Sequence, residues 1–201
     1  GGGIKRGLTA PEAAALLDMS LNKILTLVFF GLLKKGVVRQ IKEEPLVLEV
    51  AEGYRAIGMK GGPKDRFNVR QRAAQQAGVT LQSYEQRFLD ELERHADSPV
   101  KDTKFGEPME WLLTSLAKRM EGFDLSDTQD YYRSIVKKAM DQAKALGDIP
   151  ARDEALDRDM EWILLDDGYP QVFNTPTYTY HPSWTRSIGG GSSAPSLPSS
   201  G

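Results

Sequence analysis

Two histidines and no cysteine restrict the chemistry open to this chain. His95 falls at the end of a helical pattern and His181 lies beside a proline, so the two share no context. A zinc site would have to draw most of its ligands from carboxylates, which is uncommon. The acidic residues Asp153, Glu154, Asp157, Asp159, Glu161, Asp166 and Asp167 have the right type for paired carboxylates or a divalent cation. Their spacing does not match an EF-hand loop, and no glycine occupies the turn position. They read as a solvated face, with Asp153 and Glu154 favoured near a helix start. The segment Gly58-Met-Lys-Gly-Gly-Pro-Lys64 has the glycines and lysines of a phosphate cradle but not the P-loop spacing, and Pro63 removes an amide donor. It reads as a flexible loop. Ser-x-x-Lys occurs at Ser20 and Ser134 without the companion motifs that give it meaning, and no Gly-x-Ser-x-Gly elbow is present. These residues point away from an enzyme, and no cofactor is expected.

The clearest elements lie near the N-terminus. Thr9 and Glu12 form a capping box ahead of an Ala/Leu run, so a helix starts there. Asp18-Met19-Ser20 is a tight link in which Ser20 caps a second helix over 21–35, stopped by Gly36 after Lys34 and Lys35. Two β-type runs follow, 37–42 and 46–50, around Glu43-Glu44-Pro45. Together these form a helix-turn-helix with a small wing over 8–52, preceded by a linker, 1–7. Residues 53–78 are basic and glycine-bearing and read as a flexible connection, with a short helix possible over 68–77. A helical region follows over 79–168. Its apolar spacing predicts buried faces at Leu81, Tyr84, Phe88, Leu89 and Leu92, and then at Met109, Leu112, Leu113, Leu116 and Met120. Further faces are Tyr131, Tyr132, Ile135, Val136, Ala139 and Ala143 on a helix over 124–145, and Leu156, Met160, Ile163 and Leu164 on a last one. Residues 169–201 run from an aromatic, proline-bearing stretch into a Gly/Ser/Pro tail expected to be disordered. The fold class is therefore mainly α, with one small antiparallel sheet.

The second helix poses the functional question. Ile24, Leu27, Val28 and Leu32 belong to the core of the motif, which leaves Leu21, Asn22, Leu25, Thr26 and Phe29 on the outward face. A DNA reader places polar side chains there. Here Leu21, Leu25 and Phe29 recur at i, i+4, i+8 and form an apolar stripe. Three readings stay open: a face for a protein partner or a second copy, a face covered by the chain's own later helices, and a DNA-reading face. The candidate phosphate contacts are Lys23, Lys34, Lys35 and Arg39 near the motif, and Arg66, Arg70 and Arg72 in the basic segment. A formal net charge of −2 over 201 residues gives no general pull toward nucleic acid, so only weak, sequence-independent binding is expected.

The pattern Thr-x-x-Glu-Ala-Ala-x-Leu-Leu-x-Met-Ser, residues 9–20, resembles the helix-turn-helix of winged-helix and excisionase families. With Gly-Leu-Leu-Lys-Lys-Gly at 31–36 and Tyr84-Glu-x-x-Phe-Leu-x-x-Leu92, the stretch 8–92 is similar to the cytosolic C-terminal region of uncharacterised bacterial membrane proteins. In those proteins, small winged-helix-like units follow the last transmembrane segment. The resemblance implies a non-catalytic interaction or regulatory module, cytoplasmic and tethered to a membrane by a segment outside this sequence. The alternative is a soluble helix-turn-helix transcriptional regulator. The opening Gly1-Gly2-Gly3, with no initiator methionine, reads as part of a longer chain. The longest mostly apolar run, 24–33, is far short of the roughly 18 residues of a membrane span, so no span is expected within it.

Overall fold

The computed structural model describes residues 2–146 and 149–167, together with the backbone of 174–175 and 178–179. Within them the chain is mainly helical with a small antiparallel sheet, as its periodicities require. The elements are α1 (Ala10–Leu16), α2 (Leu21–Lys35), β1 (Val38–Lys42), β2 (Val47–Val50), α3 (Pro63–Ala77), α4 (Ser83–Arg94), α5 (Gly106–Arg119), α6 (Leu125–Ala145) and α7 (Ile149–Ile163). Two short strands, β3 (Asn174–Thr175) and β4 (Tyr178–Thr179), pair antiparallel. The rest of the aromatic, proline-bearing stretch and the Gly/Ser/Pro tail lie outside the described residues. No described helix is long and apolar enough to cross a membrane.

Among the described residues the chain forms two compact units, one from residues 2–27 with 116–146 and 149–167, the other Val28–Ser115. This differs from the sequential division expected at 52 and 79, because residues far apart in sequence pair with one another.

In the first unit, α1 opens on the expected capping box, with Thr9 N–H donating to Glu12 Oε1 at 2.9 Å. Glu12 is buried and also takes an ion pair from Arg119. Asp18 sits at φ 57°, a left-handed conformation that a short polar side chain tolerates, and this makes the link to α2 tight. The chain before α1 is held by α6. Tyr132 Oη accepts the Leu8 N–H at 2.9 Å and donates to the Lys5 carbonyl at 2.8 Å, while Thr128 Oγ1 accepts the Lys5 N–H at 3.1 Å. The Tyr132 ring stacks on Trp162 of α7, centroids 5.8 Å apart. On α6, Tyr132, Val136, Ala139, Met140 and Ala143 are buried, and on α7 Leu156, Met160 and Ile163.

In the second unit, β1 and β2 pair with Val38 opposite Val50 and Arg39 opposite Glu49. The register shifts between Gln40 and Lys42, which turns Ile41 outward. The core centres on aromatic rings: Phe29 of α2 meets Phe88 of α4 edge-on at 6.4 Å and Phe105 at 5.1 Å. Phe88 and Phe105 stack at 5.9 Å. The expected face of α5 is corrected at Leu113, which is exposed while Met109 and Leu112 are buried.

The segment expected as a flexible basic connection holds α3, a 15-residue helix that starts at Pro63 and ends at Gly78 in the left-handed conformation, φ 72°. It has few apolar side chains to bury, and charge holds it instead. Arg70 is fully buried: Nε donates to the Tyr54 carbonyl at 2.9 Å, Nη1 to Asp90 at 2.7 Å and to Gln86 Oε1 at 3.2 Å, and Nη2 to Glu93 at 2.5 Å. Arg66 adds a second pairing to Asp90 at 3.0 Å. Glu93 in turn accepts the main-chain N–H groups of Ala56 and Ile57. Burial by itself would raise the Asp90 pKa, but the hydrogen bonds and charges of Arg66 and Arg70 outweigh it and hold the carboxyl below its ordinary value.

Candidate interaction surface

The stripe expected to face outward on α2 does not do so along its length. Leu21 and Asn22 are exposed and Leu25 is half-buried, whereas Thr26 is buried and Phe29 has no exposed surface at all. The reason is packing: Phe29 supplies one ring of the aromatic core with Phe88 and Phe105. Of the three readings, coverage by the chain's own later residues holds for Phe29. Only the N-terminal end of the stripe is available to a partner.

The candidate phosphate contacts divide in the same way. Lys35 Nζ lies 2.6 Å from Glu85, Arg39 lies 2.7 Å from Glu49, and Arg66 and Arg70 are committed to Asp90 and Glu93. Lys35, Arg66 and Arg70 are largely covered in their pairs, which corrects the expectation that they stand ready for phosphate, while Arg39 stays exposed in a surface pair. Lys23 is partly covered. Burial lowers its pKa, and the nearby charges of Asp167 and Asp166 offset only part of that. Lys34 is half-buried, and Arg72 is exposed.

Two surface features of the second unit remain, and neither was singled out from the sequence. The first is a groove of about 660 Å³ running along α3. Asn68, Gln71, Arg72 and Gln75 line one side, and Val79, Thr80 and Leu81 line the other. Gln71 spans it, its side-chain amide donating to the Leu81 carbonyl at 2.8 Å. The amides at 68, 71 and 75 follow i, i+3, i+7 spacing. That signal stands in the sequence within the short helix expected over 68–77. The second feature is Arg87 on α4, whose guanidinium lies 4.0 Å from the ring centroid of Trp111 and 5.4 Å from that of Phe67. Its buried Nε finds no acceptor. Around Arg87, the carboxylates of Asp90, Glu91 and Glu107 balance Arg66 and Arg94. No local sequence pattern joins these residues, because they come from three helices.

Among the described residues, no group of three or more His, Asp or Glu side chains is placed to hold a metal ion. Compared with family models, with curated proteins and with solved structures, the chain matches none.

Proposed function

We propose that this chain is a non-catalytic protein-interaction or regulatory module that uses a helix-turn-helix scaffold without reading DNA through it. The observation that carries the reading is Phe29. The last residue of the candidate base-reading face is fully buried in an aromatic core, and Thr26 beside it is buried as well. The matched cations support it, because nucleic-acid affinity rests largely on Lys and Arg neutralising phosphates. On the resemblance read from residues 8–92 in the sequence, we propose further that the module is held at the inner face of a membrane.

The test is fluorescence anisotropy with a labelled random duplex, titrated across salt concentrations and followed by footprinting on a genomic library. Expected is weak binding at low salt that vanishes toward physiological salt without sequence preference. A footprint on one preferred sequence at physiological salt would overturn the reading in favour of a transcriptional regulator.

A further inference from the structure

We infer that the groove along α3 binds an extended peptide segment through its main chain, a step that rests on reading the chain as an interaction module. An amide side chain carries a donor and an acceptor in one plane, as a peptide unit does. Asn68, Gln71 and Gln75 repeat that group along one helix face. With a rise of about 1.5 Å per residue, the first and last stand about 10.5 Å apart along the axis, roughly three residues of extended chain at about 3.3 Å each.

The groove is built before any partner arrives. Its far wall, residues 79–82, is not helical, and it is fixed from two sides: Val79 N–H donates to the Ala74 carbonyl at 3.0 Å and Gln71 holds the Leu81 carbonyl at 2.8 Å. Gln82 then starts α4 through a capping box with Glu85. Among the described residues, the side chains of Asn68, Arg72 and Gln75 have no hydrogen-bond partner, and neither does Thr80 on the wall. Their donors and acceptors face solvent and are thus available, carried on a backbone held by α3 and by the tied wall.

Charge selects the occupant. The groove is lined by one cation, Arg72, and by no carboxylate. A duplex carries about one negative charge per 1.7 Å, so a single arginine is poorly matched to a polyanion. It does suit a neutral main chain with one acidic side chain. Main-chain hydrogen bonds then supply affinity, and Arg72 supplies direction along the groove.

The test uses the full chain, uniformly labelled with ¹⁵N. The probe is an acetylated, amidated hexapeptide of alanine and serine with one aspartate; its twin is N-methylated at alternate residues. The readout is the side-chain amide signals of Asn68, Gln71 and Gln75 at millimolar peptide. The peptide is expected to shift all three, the twin none, and N68A/Q75A is expected to weaken binding about tenfold. Both substituted residues are exposed, so the rest of the variant's spectrum should be unchanged. Equal binding of the twin would overturn main-chain recognition, as would no shift with any peptide. Shifts confined to Arg87 and Trp111 would overturn the groove while leaving the module reading intact. Shifts of the three amides with duplex DNA but not with peptide would overturn both.

Discussion

Replacing Arg70 by alanine should destabilise the second unit by more than any surface substitution, because it strands charge. In the native chain its guanidinium, with no exposed surface, satisfies the Tyr54 carbonyl, Gln86, Asp90 and Glu93 at once. In R70A, Asp90 keeps Arg66, while Glu93 keeps only the N–H groups of Ala56 and Ile57. Breaking a buried ion pair by removing one partner costs about 3–5 kcal/mol. With a urea slope of about 2 kcal/mol per molar, the midpoint should fall by about 1.5–2.5 M. The assay is urea unfolding followed by circular dichroism, because both α3 and α4 depend on the network. The double variant R70A/E93Q, which neutralises the stranded carboxylate while Asp90 keeps Arg66, should recover more than half of the loss. A midpoint for R70A within about 0.3 M of the unaltered chain would refute the claim that charge rather than apolar burial holds α3 in place. So would a double variant no more stable than R70A.

Two further outcomes follow from the same structure. The Asp90 carboxyl titrates below its ordinary value of 3.8 when folded, so its contribution is complete above that value and is lost as pH falls through the lowered one. D90N should therefore flatten the acid side of the stability–pH curve, and parallel curves for the two proteins below about pH 5 would contradict this. Removing the Tyr132 hydroxyl in Y132F leaves the Leu8 N–H and the Lys5 carbonyl without their partner while keeping the stack on Trp162. At about 1–3 kcal/mol, amide hydrogen exchange at Leu8 should quicken roughly 5- to 150-fold, and unchanged exchange would mean water replaces the hydroxyl without cost.

Wherever local chemistry decides, the sequence could be read directly. The α2 bounds follow from Ser20, whose Oγ accepts the Lys23 N–H at 3.1 Å, and from Gly36 at φ 76°. The Thr9–Glu12 box and the paired strands are equally local, set by neighbours three to twelve residues apart. The misread elements depend on longer pairings. Apolar periodicity is weak in α3 because Arg66 and Arg70 do the work that leucines do elsewhere, with partners 16 to 24 residues away. Phe29 could not be assigned to core or surface from its own helix, since the rings it meets come from α4 and from Phe105. The candidate groove was hidden for a different reason: a short helix over 68–77 already carries the amides at 68, 71 and 75, but its own spacing does not show that residues 79–81 fold back beside it.

The hydrogen bonds from Leu8 to Tyr132 and from Lys5 to Thr128 close loops of 124 and 123 residues around the second unit. For a chain emerging from a ribosome at about 5–20 residues per second, Leu8 waits roughly 6–25 s for its partner to be synthesised. The residues of the aromatic and arginine-centred contacts of Val28–Ser115 are all synthesised before then. Birth order therefore favours the inserted unit forming first, with the segment ahead of α1 left as a client for chaperones in the interval. A premature stop between Ser115 and Thr128 would release a protein whose middle is finished and whose beginning lacks its partners on α6.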